Sequence, residues 1–178
     1  MRRSNRRAVL TAGAAAVFGG APPVGAQEAA SPAQGFDIHI MAPHVVEGVV
    51  MGPFHHYCKL SQEDPLILEC LLYMSTDPTA RMMGVEYFID KELTRPNLGL
   101  DLWNEYYHDH EIEIATGRVA VLDRSDAEAQ AIAEAAAHTD GIIWKLWMHD
   151  RLVPDGRAIP AQSVGYRHRS NGPGPPEP

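Results

Sequence analysis

The sequence has few of the features by which the common enzyme and redox families are recognised. It contains two cysteines and no C-x-x-C spacing, so a thioredoxin-like motif has no support. It has no glycine-rich phosphate loop and no G-x-S-x-G turn, so nucleotide binding and serine hydrolysis have none either. It also lacks an apolar run of about 20 residues, the length that a helix needs to span a bilayer.

Basic side chains are scarce over most of the chain. The 178 residues carry 15 Lys and Arg against 23 Asp and Glu, a formal net charge of −8. Four of the arginines lie in residues 1–26, which leaves 11 basic and 23 acidic side chains and a charge of −12 for the remainder. Such a surface repels phosphate backbones and anionic headgroups, so we do not expect nucleic acid as a partner.

Residues 1–26 have the layout of an export signal. An arginine-rich start is followed by a mildly apolar run and by the small residues "VGA". Arg6 and Arg7, followed by "AVL", are typical of a twin-arginine signal. The alternative is a basic, disordered N-terminus. We expect a soluble protein that is periplasmic or secreted.

The remaining chain predicts one α+β domain over residues 36–169, between a flexible lead-in at 27–35 and a disordered tail at 170–178. "FHHYCKL", "LILECLLYM" and "RMMGVEYFI" are predicted strands with short links, which favours an antiparallel meander. "EIEIATGRVAVL" alternates and predicts another strand, and "IIWKLWMHD" a last one before a turn-rich connection. "RSDAEAQAIAEAAAHTDG" predicts a helix capped by Ser125 and Glu128. We therefore expect a single antiparallel sheet with a few packed helices.

Four segments carry a family resemblance: "HHYCKLSQED", "ECLLYMSTDPTARMMGVEYFI", "HDHEIEIATG" and "WKLWMHDRLVPDGRAIP". In this order, over roughly residues 46–161, they resemble the oil-body-associated protein family, a domain of unknown function also found in bacteria. The resemblance implies an association with seed oil bodies for the plant members and no stated biochemical activity. Tyr107 stands where the family has tryptophan, and the export leader argues against a cytosolic oil-droplet role. We interpret the chain as an exported bacterial member.

Two histidine clusters are candidates for chemistry. On a strand, His55 points one way and His56 the other, so only one of them is expected in a given site. His108, His110 and Glu111 follow about fifty residues later. Imidazoles and carboxylates together are common ligands for divalent transition metals. We take these five residues as candidate metal ligands, with His55 or His56 joining the later group.

Other interpretations of the clusters stay open at this point. They include a small-ligand site, a buried polar network without chemistry, and acid–base catalysis without a metal; lipid association rests only on the family name. Whether the protein is an enzyme is left open. The cupin family also has H-x-H followed by a glutamate in a β-barrel, and Glu113 lies near that offset, but the second cupin motif is not evident.

Two further pairs of residues are relevant to the site. Glu69 and Glu86 each lie opposite an apolar strand face, which predicts a sheet-surface position for both, with Arg81 or His55 as candidate partners. Cys58 and Cys70 are compatible with a disulfide across a hairpin and equally with two buried free thiols.

Overall fold

A computed structural model describes residues 35–148 and 150–170. The predicted export signal, residues 27–34 of the lead-in and residues 171–178 of the tail lie outside the described part. The strands are β1 (Ile38–Val46), β2 (Val49–Gln62), β3 (Ile67–Tyr73), β4 (Met82–Asp90), β5 (Tyr107–Asp109), β6 (Ala120–Leu122), β7 (Thr139–Lys145) and β8 (Ile159–Ser163). The helices are α1 (Lys91–Asn97), α2 (Leu100–Tyr106), α3 (His110–Ala115) and α4 (Asp126–Ala137).

Six strands close into an antiparallel barrel. Going around it, β1 pairs with β2, β2 with β3, β3 with β4, β4 with β7, β7 with β8 and β8 with β1. β5 adds to the free edge of β7, and β6 to that of β1. The predicted antiparallel sheet with packed helices and the β2–β3–β4 meander are confirmed. Closure into a barrel goes beyond the prediction, and it makes one face of the sheet an interior.

The strand that closes the barrel was not predicted. β8 lies where the sequence indicates the end of a turn-rich connection, and it pairs with β7 at Lys145↔Ile159 and with β1 at Val46↔Ala161. It has five residues and includes Pro160, which cannot donate a backbone hydrogen bond. A strand this short has too little alternation to be recognised locally.

The barrel interior contains a polar layer between two apolar clusters. Ile40, the two cysteines and Phe88 belong to one cluster, and Val46, Leu72 and Ile143 to the other. On β1 the buried residues alternate as Ile40, Ala42, His44 and Val46, so the imidazole of His44 lies between the clusters. The apolar clusters on either side keep water away from the polar layer.

Cys58 and Cys70 form a disulfide, which decides between the two alternatives. They stand opposite each other on β2 and β3, with their Cα atoms 4.0 Å apart. Both are buried in the first apolar cluster. The bond links the two strands beside the polar layer, and the sulfurs are not available as metal ligands.

The segment after His108 is helical rather than extended, so the prediction of a strand over "EIEIATGRVAVL" is wrong for most of its length. The side chain of Asp109 accepts a hydrogen bond from the backbone N–H of Glu111 and so caps α3. Strand β6 is only the last part of the predicted one. The predicted helix is confirmed as α4, with the capping box of Ser125 and Glu128 present. No helix among the described residues is both long and apolar enough to cross a membrane.

Candidate metal centre

The carboxylate of Glu86 lies at the centre of the polar layer. Glu86 is on β4 and is 2% exposed, so the prediction of a surface position is wrong for this residue. Closure of the barrel turns that face of β4 inward, which no local pattern shows. The matching prediction for Glu69 holds: its side chain is 37% exposed and pairs with Lys59 at 3.2 Å.

Neighbouring strands β1 and β2 place two imidazoles beside one oxygen of Glu86. His56 Nε2 lies 2.9 Å from Glu86 Oε2, and His44 Nε2 lies 3.7 Å from the same atom. The two Nε2 atoms are 3.0 Å apart. Both rings are 1% exposed. His56 points inward and His55 outward, as the alternation of a strand requires.

Strand β5 and helix α3 place two more imidazoles beside the other oxygen. His108 Nε2 lies 3.4 Å and His110 Nε2 3.3 Å from Glu86 Oε1. Glu113, one helical turn after His110, brings its Oε2 to 3.7 Å from His108 Nε2 and 3.8 Å from His110 Nε2. The helix that was not predicted therefore puts His110 and Glu113 on one face, at i and i+3.

Gly141 makes room for these rings. It stands opposite His108 on β7, and a Cβ atom built there would overlap His108 Nε2, His108 Cε1 and His110 Nε2. Any larger residue would push both imidazoles away from Glu86. The same stretch of β7 supplies Thr139, which contacts the far side of His110.

Two salt bridges hold β5 in position. Asp109 accepts from Arg95 Nη2 at 2.7 Å and from Lys91 Nζ at 2.7 Å. Arg95 also reaches the buried carboxylate of Asp140 at 3.0 Å, and Trp103 donates its indole N–H to the same group. Because α1 and α2 provide these donors, they fix the strand from which His108 projects.

Hydrogen bonds outside the cluster set the tautomers of two histidines. His56 Nδ1 lies 3.0 Å from the carbonyl oxygen of Phe54, which can only accept, so Nδ1 carries the proton. Thr139 donates its hydroxyl proton to the Ala136 carbonyl, so its oxygen accepts from His110 Nδ1 at 2.7 Å. In the neutral imidazoles, both Nε2 atoms therefore direct a lone pair at Glu86.

Burial and neighbouring charges shift the pKa values within the cluster. Burial by itself raises the pKa of Glu86, yet the close imidazoles of His108, His110 and His56 bring it well below its ordinary value. Burial raises the pKa of Glu113 to about 8. Glu86 is therefore the ionised carboxylate near neutral pH, and Glu113 holds its proton.

The pKa values of the imidazoles also shift in different directions. Burial lowers the pKa of His44 well below its usual value, with Lys145 as the next cause, and burial also lowers that of His110. Burial opposes the charged form of His108 as well, but Glu86 and Glu113 raise its pKa overall. Lys145 Nζ, 2.8 Å from His44 Nδ1, has its pKa lowered to about 7 by burial.

Several polar atoms at the centre lack hydrogen-bond partners. Glu86 Oε2, His108 Nδ1 and His108 Nε2 are buried and make no hydrogen bond, although Glu86 Oε2 and His56 Nε2 are close enough for one. A cavity of about 20 Å³ adjoins Glu86, His56, His110 and Glu113, and its other lining residues are apolar, Phe88 among them. This is room for one water-sized particle.

The structure brings together three of the five predicted ligands, His56, His108 and His110. His55 is on the outer face of β2, and Glu111 is 73% exposed and pairs with Lys91 at 3.3 Å. The cluster instead contains His44, Glu86 and Glu113, none of which is among the predicted ligands. One signal for His44 is available: it is the polar member of the inward series on β1.

A second histidine pair lies on the outer face of the same two strands. His39 Nδ1 is 2.7 Å from Asp123 Oδ2, and His39 Nε2 is 2.9 Å from His55 Nδ1. Tyr57 stacks on His39 with 4.6 Å between ring centroids. We refer to His39 and His55 as the outer pair, and to His44 and His56 as the inner pair.

Comparison with known proteins places this barrel in a family. The family model described as "Protein of unknown function (DUF1264)" matches residues 30–164, most of the chain. The chain belongs to this family. Membership confirms the resemblance found from the motifs, whereas bacterial origin and export stay predictions. No solved structure matches the DUF1264 chain.

The similar curated proteins are plant oil body-associated proteins. Oil body-associated protein 1B of Arabidopsis thaliana is 30% identical over 98 residues, 54% of this chain and 38% of the relative. Oil body-associated protein 2B of Zea mays is 30% identical over 109 residues, 60% of this chain and 39% of the relative. The chain therefore spans about two fifths of the length of these relatives.

Proposed function

We propose that the protein binds divalent transition metal inside the barrel, through the carboxylate of Glu86 and the imidazole nitrogens around it, the Nε2 atoms of His56 and His110 among them. The orientation of the two imidazoles carries the proposal. Both Nδ1 protons are committed to acceptors outside the cluster, so both Nε2 lone pairs face the carboxylate of Glu86. Lone pairs that converge on a carboxylate are complementary to a cation.

The set of donors indicates the class of metal. It offers imidazole nitrogen and carboxylate oxygen, and the two cysteines are joined to each other. Nitrogen and oxygen ligands suit Zn, Fe, Mn, Ni or Cu ions, whereas an all-oxygen set would favour Mg or Ca. The bound metal would supply Lewis-acid or redox chemistry, and the protein residues would set its geometry and exclude water.

A buried polar network without a metal is the competing interpretation. It requires a proton between His56 Nε2 and Glu86 Oε2, which neither an imidazole protonated at Nδ1 nor an ionised carboxylate supplies. A purely structural network normally satisfies its members, because a buried polar atom without a partner costs about 1–3 kcal/mol. The unpartnered atoms of Glu86 and His108 therefore favour a metal.

Export is part of the proposal. Residues 1–26 would direct the chain through the twin-arginine route, and the Cys58–Cys70 disulfide supports an oxidising compartment. Disulfides are rare in most cytosolic proteins and common in secreted and periplasmic ones.

Association with a lipid surface is a second candidate, suggested by the names of the plant relatives. The structure has exposed aliphatic side chains of the kind that it requires: Val49 and Val50 are 61% and 58% exposed, and Leu152 and Val153 are 93% and 67% exposed. Replacing the four residues by serine would abolish flotation of the protein with phospholipid-coated oil droplets. Equal flotation of both forms would remove this candidate.

Elemental analysis tests the metal proposal. The protein would be purified without a histidine tag, dialysed against Zn²⁺ or Mn²⁺, and separated from free metal, beside His110→Ala and His55→Ala. We expect bound metal in wild type and His55→Ala, and a loss of at least half in a still-folded His110→Ala. Wild-type protein that holds no metal, with a normal circular dichroism spectrum, would overturn the proposal.

A further inference from the structure

We propose that the polar layer is built for two metal ions, one on each oxygen of Glu86, with this carboxylate as the bridge between them. The inference rests on the proposed function and specifies it further. It follows from how the donor atoms are grouped around Glu86.

The donors form two sets of three, and both contain Glu86. One set is His44, His56 and Glu86; the other is Glu86, His108 and His110. In each set one donor atom per residue lies within 4.8 Å of the others. Ligands of one ion, at bonds of about 2.0–2.2 Å, are separated by at most about 4.4 Å. Each set is close to the size of one ion's ligand shell.

The two sets face different oxygens of the same carboxylate. His44 and His56 lie 3.7 and 2.9 Å from Oε2, and His108 and His110 lie 3.4 and 3.3 Å from Oε1. A carboxylate that offers one oxygen to each of two metals holds them at the separation of about 3.5–4 Å typical of two-metal sites. Placing a single ion at either set would leave the other two imidazoles without a metal to bind.

The two positions differ in the groups beside them. Glu113 lies within 3.8 Å of both His108 and His110, so the position beside Oε1 has a second carboxyl group, which would release its proton on binding a metal. The position beside Oε2 has the amine of Lys145 next to His44 instead. A dication is attracted more strongly where two carboxylates are available. The ion beside Oε1 therefore binds first, and the one beside Oε2 binds more weakly.

Each set rests on its own part of the fold. His44 and His56 project from β1 and β2, whereas His108 and His110 project from β5 and α3. One histidine can therefore be replaced on one side while the ligands of the other side keep their supports. This separation makes the number of ions testable by single substitutions.

Native mass spectrometry with Zn²⁺ counts the ions. The full-length, metal-free protein would be titrated as wild type, His44→Gln, His108→Gln and His55→Gln. We expect two ions in wild type and His55→Gln. His44→Gln would keep one tightly held ion, and His108→Gln would keep at most one, bound at least tenfold more weakly than the first wild-type ion.

Electron paramagnetic resonance with Mn²⁺ tests the bridge. Wild type loaded with two equivalents would give the spectrum of a spin-coupled pair, and His44→Gln that of isolated ions. One ion in wild type, lost in His110→Gln, would overturn the two-ion inference and leave the proposed function standing. Binding of no ion by the folded wild type would overturn both. Two ions without spin coupling would contradict the bridge.

Discussion

The inner pair and the outer pair of histidines lie on the same two strands but face opposite sides of the sheet, beside carboxylates of very different exposure. His44 and His56 face the interior, are 1% exposed and lie beside the buried carboxylate of Glu86. His39 and His55 face outward; His39 is covered by its neighbours and 5% exposed, but its carboxylate partner, Asp123, is 74% exposed. Both pairs contain a short ring-to-ring contact, at 3.0 Å inside and 2.9 Å outside.

This difference shows that the surroundings of a histidine pair, rather than the residue type, determine how strongly the pair can bind a cation. Water solvates and screens the carboxylate of Asp123, so the outer pair contributes little binding energy for a cation. Inside the barrel, the apolar clusters exclude water, and the same donors interact strongly with charge. Substitutions inside the barrel should therefore have larger effects than matched substitutions on its outer face.

Glu86→Ala and Glu69→Ala compare a buried and a half-exposed glutamate on neighbouring strands. Removing Glu86 leaves four imidazoles and Lys145 without their carboxylate, and we expect a loss of about 3–5 kcal/mol in the free energy of unfolding. Glu69→Ala removes a surface ion pair and should cost less than about 1 kcal/mol. Urea denaturation of the metal-free proteins measures both. Equal losses in the free energy of unfolding would show that Glu86 stabilises the protein no more than a surface glutamate does.

His56→Ala and His55→Ala compare adjacent residues that face opposite ways. His56→Ala leaves Glu86 Oε2 and His44 Nε2 without their nearest neighbour, at a cost of about 2–3 kcal/mol, and should lower the amount of bound metal. His55→Ala should cost less than about 1 kcal/mol and retain all the metal. Thermal unfolding and elemental analysis give the two readouts. Loss of metal in the His55 variant would place the site on the outer face.

Glu113→Gln tests the pH dependence of the inner cluster. Burial raises the pKa of Glu113 to about 8 from an ordinary 4.5, so the metal-free folded protein binds a proton there that the unfolded chain has lost. Relative to the glutamine variant, wild type should therefore lose stability as pH rises from about 4.5 to about 8, and level off above. Each pKa unit corresponds to about 1.36 kcal/mol.

The measurement is urea denaturation of both metal-free proteins at pH 5, 6, 7 and 8. Because all other titrating groups are shared, only the difference between the two proteins reports on Glu113. A difference that does not change with pH would show that Glu113 is ionised in the folded protein throughout this range.

Asp123→Asn should have the smallest effect. The carboxylate is mostly exposed, so removing its charge beside His39 should change stability by less than about 1 kcal/mol and leave metal binding unchanged. What little is lost should disappear in 1 M salt, where charges are screened over about 3 Å. A large loss of stability that persists in 1 M salt would show that the contact between Asp123 and His39 is not a screened surface ion pair.

Local patterns were sufficient for part of this structure. The capping box of α4, the meander and the opposite directions of His55 and His56 all follow from spacing within one segment. Membership of the family followed from motifs quoted in order. The disulfide was among the alternatives because its two residues can meet across one hairpin.

Long-range pairing determined the rest. The interior exists because Val46 pairs with Ala161, and no local pattern connects two residues so far apart in the chain. Without closure, Glu86 looks like a surface residue on one face of an open sheet. Likewise, "EIEI" has the period of a strand, and the cap at Asp109 decided in favour of a helix. That helix buried Glu113 and left Glu111 in solvent.

The central claim is that a metal occupies the polar layer, and anomalous diffraction from crystals grown with Zn²⁺ tests it most directly. Data collected on both sides of the zinc absorption edge locate the ion without reference to the surrounding model. We expect anomalous density within about 2.0–2.2 Å of His56 Nε2 or His110 Nε2 and of a Glu86 oxygen. Density only on the outer pair, or none in the barrel of zinc-loaded protein, would contradict the account.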